Sequence, residues 1–471
     1  MRIPICTVNL RSVTPSLVGG YDAQAYHEKL RIVEPFRLTE LKGQMRWIGR
    51  ALIAGASLDA YGLLDITNVK LILGRILGTA EEPEVHSSPV HMAVVKENSR
   101  VLQVVRKGKY DVWQEMTIPR AKELFYVNAR REIPRVSLLL LNKRSVTLIW
   151  YDNVSLKMYA TPYYYNKLNS LEKALFWVIL FMMLTLKGLG KASRRGFGSL
   201  SFRIEDSYGH LHDLFKDVSD SEGELLIEYF TRHYLDEYAG VELLNILKLL
   251  INSSKRIARR VVEETKPKSG TNIPFLPIMA RNLFEIDLIS LRRSAYLSSL
   301  RGPALPMNMP GWFTALHFIG VLTKRQDWRR AYGGDPRMPS LSDKLRASLK
   351  WFLGLPRRVG SSGYIESCPP CERRASPLLF HVIQANDRSA TLTVCKQISY
   401  DWPQKLIWSP GPKKRIQKLS ISIRPGKASL NVTYAPQNLR LPNKIDLTLI
   451  NTEINKAITA LGGRSLDKIK I

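Results

Sequence analysis

Twelve residues, Lys187-Gly-Leu-Gly-Lys-Ala-Ser-Arg-Arg-Gly-Phe-Gly198, carry four glycines and four cations. Glycine opens backbone conformations closed to residues with a Cβ and lets a chain approach another molecule closely. Main-chain N–H groups around Gly188, Gly190, Gly196 and Gly198, with Lys187, Lys191, Arg194 and Arg195 beside them, suit a phosphate backbone. The segment is no nucleotide-binding signature. The Walker order Gly-x4-Gly-Lys-Ser/Thr is absent, and Gly188-Leu-Gly190 opens no Rossmann fingerprint. The competing reading is a tight loop with solvated charges.

Further cations stand elsewhere. Arg46 and Arg50 are four apart and share a helical face. With Trp47 between them they could touch phosphate and stack on a base. Lys42 precedes them in the same segment and joins the expected RNA contacts. Taken alone, Trp47 reads as core, where large aromatics usually sit. Arg357, Arg358, Arg373 and Arg374 flank a second basic loop, Gly354 to Gly363, and form either a second phosphate clamp or solvated charge. Between Asp401 and Asp446 no residue is acidic and nine are Lys or Arg, densest at Lys413 to Lys418. That pattern reads as a basic face along strands.

Other chemistry is thinly supported. Cys368-Pro-Pro-Cys371 is half of a zinc pattern, with His381 and Cys395 as conceivable completing ligands. The spacing is irregular for zinc modules, so free thiols or a local disulfide are favoured and no metal or other cofactor is expected. Asp22 and His27 follow the first strand and could each serve as a general base. The simpler reading is an exposed polar loop.

The elements that must position these residues follow from pattern and length. The chain has 471 residues, a prior of two or three domains, and 45% hydrophobic residues, enough for a core in each. Its net charge is +29, from 70 Lys and Arg against 41 Asp and Glu, with a pI near 10.0. Such a charge repels itself unless a polyanion neutralises it, so nucleic acid is the expected partner. No basic amphipathic helix or lipidation site argues for a membrane, and no small-molecule substrate is implied. Four cysteines make no disulfide framework, and the N-terminus reads as a strand, so the protein is expected to be cytoplasmic.

A strand over 3–13 precedes a helix over 38–53, with Met45, Ile48, Leu52 and Ile53 at helical spacing and Thr39 as N-cap. Residues 80–100 read as a polar insertion. Stretches 101–113 and 136–158 alternate like strands, with a hairpin predicted across Asn142 to Ser145. The thirteen-residue apolar run Ala174 to Leu186 is too short for a bilayer and reads as a buried helix leading into the glycine loop. The order is a split β-α-β plan. Helices follow over 221–238 and 241–262, then a linker over 264–270. The second half repeats the plan: a strand region over 273–289, helices over 312–322 and 341–353, paired strands over 376–383 and 391–397, two more strands, and a terminal helix over 451–461.

Three segments carry a family resemblance. They are Thr14 to Gly20 with Leu38 to Arg50, the loop Gly188 to Gly198, and Phe352 to Pro356 with Arg373 to His381. Together they resemble the RAMP (repeat-associated mysterious protein) superfamily of CRISPR systems, most closely the capping RAMP subunit of the type III-B, or Cmr, effector complex. The resemblance implies an α+β chain of two ferredoxin-like (RRM-like) RAMP domains, 1–215 and 271–471, joined by a helical connector, 216–270. It implies a non-catalytic subunit at one end of a guide-bound filament, holding target RNA against guide RNA in antiviral defence. The implied partners are those RNAs and other RAMP subunits. The alternative is a RAMP-type metal-independent endoribonuclease processing repeat RNA, with His27 or Asp22 at work. A general RNA-binding protein is a third reading.

Overall fold

The computed structural model describes residues 2–18, 24–27, 32–79, 86–116, 121–140, 143–271, 277–299, 309–323, 357–358, 363–367, 378–397, 405–410, 419–424, 427–431, 451, 455, 458–459 and 461–470. The first half runs β1 (Ile3–Ser12), β2 (Tyr26–His27), β3 (Ile32–Val33), α1 (Leu38–Tyr61), α2 (Ile66–Leu77), β4 (Val90–Lys107), β5 (Tyr110–Glu115), β6 (Lys122–Asn128), α3 (Pro134–Leu140), β7 (Ser145–Ala160), α4 (Pro162–Tyr165), α5 (Ser170–Leu186) and β8 (Leu200–Glu205). Then come α6 (His210–Asp217), α7 (Ser221–Arg232) and α8 (Gly240–Thr265). The second half runs β9 (Phe284–Arg292), α9 (Arg293–Ser299), α10 (Gly311–Thr323), β10 (Arg357–Arg358), β11 (Gly363–Ser367), β12 (Leu378–Ala385), β13 (Ser389–Gln397), β14 (Lys405–Pro410), β15 (Leu419–Arg424), β16 (Lys427–Asn431) and β17 (Gly463–Lys470).

The architecture is mixed α/β with antiparallel sheets. The first sheet has the order β6-β5-β4-β7-β1-β8, and the second the order β12-β13-β9-β17. Strands β10, β11, β14, β15 and β16 make a third. Within the first sheet, β1, β4, β7 and β8 stand in the order second, third, first, fourth by chain position. The second sheet repeats that order with β9, β12, β13 and β17. Helices α1 and α2 connect β1 to β4, and α5 connects β7 to β8. A bulge in β4 at Val95 and one in β7 at Asp152 curl the long β4–β7 pair.

The central helix α5 is buried nearly all round, as its unbroken apolar sequence requires. Its start is set by a capping box in which Asn169 Oδ1 accepts from the Glu172 N–H at 2.9 Å. One core joins α1, α2, α5 and α8 to the inner face of the first sheet and continues into Ile286, Leu288, Leu379 and Cys395 of the second. A second core joins Trp113, Phe125 and Phe197 to α10 and to Ile289, Phe380 and Val394. The second sheet therefore has apolar packing on both faces.

Four elements differ from the reading of the sequence. The predicted strand at Leu138 is helix α3: Pro134 suits a first helical turn, and Val136 and Leu140, four apart, share the second core. Thr39 lies inside α1, whose N-cap is Arg37 without a side-chain cap. Residues 90–100, read within an insertion, belong to β4. The chain continues past its last helical residues into β17, an edge strand whose charges mask its pairing with β9. The predicted helix over 341–353 lies outside the described residues.

Candidate nucleic-acid interface

The glycine loop begins where α5 ends, at Lys187, whose N–H bonds Met183 O at 3.1 Å. It closes on itself and on the chain after β1. Leu189 N–H donates to Gly198 O (2.9 Å), Lys191 N–H to Leu17 O (2.6 Å) and Gly198 N–H to Pro15 O (3.0 Å). The Gly190 N–H donates to the Glu40 carboxylate. A Cβ on Gly198, at φ +65°, would lie 1.9 Å from Leu189 O. A Cβ on Gly196 would lie 2.7 Å from Ile319 Cδ1 of α10. These glycines serve chain-to-chain contact, and the amides of Leu189, Gly190, Lys191 and Gly198 are spent within the protein.

The loop is also stitched to the second half. Phe380 N–H of β12 donates to Arg194 O at 3.1 Å, and Val382 N–H donates to Ser199 Oγ at 3.0 Å. The fold gathers part of the loop's side-chain charge on one ring. The Lys187 ammonium lies 4.4 Å and the Arg194 guanidinium 5.0 Å from the centroid of Trp47 on α1. Trp47 is half-buried against the first core, so its expected core position and its use as a cation platform both hold.

Arg50, one turn beyond Trp47, adds its charge to the same cluster. Burial first, then Arg194, lowers the Lys187 ammonium to about 7; Glu40 opposes this and Arg50 adds to it. Burial, then Arg50, brings Arg194 down to about 10. Both shifts report positive charge short of solvation and crowded by its own kind. An incoming anion relieves both strains at once, which makes the cluster a receptive site for a phosphate.

The neighbouring arginine turns the other way. Arg195 Nη1 donates to Thr323 Oγ1 of α10 at 2.6 Å. Burial, then the charge of Arg135 on α3, brings it down to about 10. Arg46 points away from the cluster, donating to Leu77 O (3.1 Å) and Gly78 O (2.7 Å) at the end of α2. Lys42 is half-buried, and burial, then Arg46, lowers its ammonium. Glu40 and Arg135 were missed from the sequence. An acid in the first turn of α1 was the only signal for Glu40.

Asp22, Cys368, Cys371, Arg373 and Arg374 lie outside the described residues. Arg357 and Arg358 form β10, and His27 lies in β2. His381 and Cys395 are fully buried on adjacent strands; burial lowers the His381 imidazole to about 3 and raises the Cys395 thiol. Among the described residues no group of three or more His, Cys, Asp or Glu is placed to hold a metal ion. Among them, too, no helix is long and apolar enough to cross a membrane.

No protein-family model matches the chain, and no characterised protein has a significantly similar sequence. Solved structures do match. One is a chain of the Type III-B Cmr-beta complex bound to cognate target RNA, by cryo-EM, at a TM-score of 0.54. Another is a chain of Type III-B Cmr-beta bound to cognate target RNA and AMPPnP, state 2, in the presence of ssDNA, at 0.58. Each match has 14% identity and covers 98% of this chain and 100% of the other. The apo crystal structure of Cmr1 from Pyrococcus furiosus aligns at 0.38, with 16% identity over 88% of this chain and 91% of that one, too loosely to bear on the fold. The two Cmr-beta matches establish a shared fold over nearly the whole length of both chains.

Proposed function

We propose that this protein is a non-catalytic, RNA-binding subunit of a type III-B CRISPR ribonucleoprotein, capping its backbone filament and helping to hold target RNA against guide RNA. The observation that carries RNA binding is the cluster of Lys187, Arg194 and Arg50 around Trp47, where mutual repulsion and burial lower the first two. The whole-chain fold match to chains of RNA-bound Cmr-beta supports the assembly. The repeated strand order, with helices between the first and second strands of both sheets and α5 between the third and fourth strands of the first, supports two ferredoxin-like RAMP domains. The net charge of +29 supports a polyanionic partner.

The test is twofold. Purification from the native host should bring down other RAMP subunits and a short repeat-derived guide RNA. Arg50→Ala with Arg194→Ala should weaken single-stranded RNA binding roughly tenfold and flatten the slope of log K against log salt by about 1.4, at 0.7 per lost phosphate contact. Unchanged affinity and slope would remove the cluster from the RNA path. A chain purified alone that cuts repeat RNA without metal, and loses the activity in His27→Ala, would be the endoribonuclease instead.

A further inference from the structure

One face of the first sheet carries a second arrangement of cations and rings. Alternation along the strands turns Val8, Leu10 and Leu156 into the core under α1 and α5, and turns their neighbours outward. The outward side chains, joined by Tyr234 from the chain after α7, line an open groove of 560 Å³ that includes Lys96, Lys157, Tyr159, Arg203 and Glu205. Register brings them together. Lys157 stands opposite Thr7 on β1 and Ala93 on β4, Tyr159 opposite His91, Lys96 opposite Ser155, and Arg203 opposite Asn9.

The groove has the chemistry of a nucleic-acid strand. Glu205, its one carboxylate, accepts from Asn9 Nδ2 at 2.8 Å and from Arg203 Nη2 at 3.1 Å. Among the described residues Lys96 and Lys157 form no ion pair. Each ring comes with a cation. Lys157 Nζ lies 5.7 Å from the Tyr159 ring centroid, and the Tyr234 ring has two guanidinium groups beside it, Arg11 at 4.1 Å and Arg203 at 5.5 Å. Arg203 and Asn153 both line the groove, and among the described residues the buried Arg203 Nε and Asn153 Oδ1 have no hydrogen-bond partner. Aromatic rings on a sheet face stack bases, and neighbouring cations take the phosphates between them. An acidic peptide would engage the lysines and leave the rings idle.

We propose that this sheet face is a second RNA surface, holding a short single-stranded segment through Lys96, Lys157 and Arg203 with bases stacked on Tyr159 and Tyr234. It rests on the RNA-binding reading above and is separate from the Trp47 cluster, which lies on the helices behind the sheet. Binding of a labelled oligouridine to the full chain tests it. Lys96→Ala with Lys157→Ala should weaken binding roughly tenfold and flatten the salt slope by about 1.4. Tyr159→Ala should weaken it roughly tenfold and Tyr159→Phe should restore it, because a phenyl ring still stacks. Photocrosslinking of 4-thiouridine RNA to the unaltered chain should place the adduct on the peptide containing Tyr159. Wild-type affinity in the sheet variants, with binding still weakened by Arg50→Ala and Arg194→Ala, would overturn the sheet face and leave RNA binding standing. No RNA bound by the unaltered chain would overturn both. Displacement by poly-glutamate as effective as by RNA, with Tyr159→Ala neutral, would give the face to an acidic protein.

Discussion

The first sheet and the four-stranded second sheet share a strand order and differ in what lies against them. The first has one core along one face; its other face is covered by the second core at Leu102, Val104, Trp113 and Leu148 and opens further along into a cation-lined groove. The second is packed on both, and its charges turn on each other. Lys396, fully buried, donates to Glu285 Oε1 at 3.0 Å and also to Asp287 and Asn451. Burial would raise Glu285, but Lys396 outweighs it and holds that carboxyl below its ordinary value. For Asp287 burial wins and the carboxyl is raised. One topology thus yields an exposed surface where nothing covers it and a keystone where both faces are covered. Lysine marks the contrast: neutralised by neighbouring acids in the keystone, set against rings and other cations elsewhere.

The largest test of that contrast is Lys396→Met. It strands two buried carboxylates and should cost about 3–5 kcal/mol of stability, whereas Lys157→Met on the open face should stay within about 0.5 kcal/mol. Urea unfolding of both variants measures the pair, and equal losses would erase the distinction between the sheets. Next is backbone geometry where the halves meet. Gly198→Ala forces a Cβ onto Leu189 O at a left-handed φ and should cost about 2–3 kcal/mol. Gly108→Ala, also left-handed but with open space around it in the β4–β5 turn, should cost about 1 kcal/mol.

A further test is pH dependence at Lys187. Its folded value is about 7 against an ordinary 10.5, so in that window the unfolded chain keeps a proton that the fold releases. The cost of the buried charge is fully present below about 7 and fades as pH rises towards 10.5. Lys187→Met should therefore stabilise the protein at pH 6 and do progressively less above it. RNA affinity of the unaltered chain should drop as pH rises through about 7, and the variant should lose that step; a parallel drop in both would place the titration elsewhere.

What could be read from the sequence was what is local. An unbroken apolar run makes α5, and the β12–β13 hairpin declares itself by alternation around Asn386. Glycine spacing marks a tight loop after α5, and its neighbours in the fold give the reason. Only the tertiary arrangement shows that Arg194 turns to Trp47 while Arg195 turns to α10, because consecutive loop residues diverge. Arg46 shares a spacing with Arg50, yet a nearby helix end with bare carbonyls claims it. The first half of strand β4 was hidden because its middle, Val95 to Arg100, is largely exposed and polar. The groove on the first sheet was invisible for a related reason. Its residues come from four strands and, with Tyr234, from the chain after α7, spread over more than two hundred positions, and no window of sequence holds them together.

The hydrogen bonds from Phe380 and Val382 to the glycine loop have a consequence for how the protein is made. Ser199 and Val382 are 183 positions apart. A ribosome finishes the loop long before it supplies the strand that seals it. Throughout that interval the nascent first half carries Phe197 and one side of α5 without the cover that β12, β13 and α10 later provide. A chain truncated at residue 270 should therefore expose Phe197 and that side of α5, and bind a hydrophobic dye more strongly than the full chain.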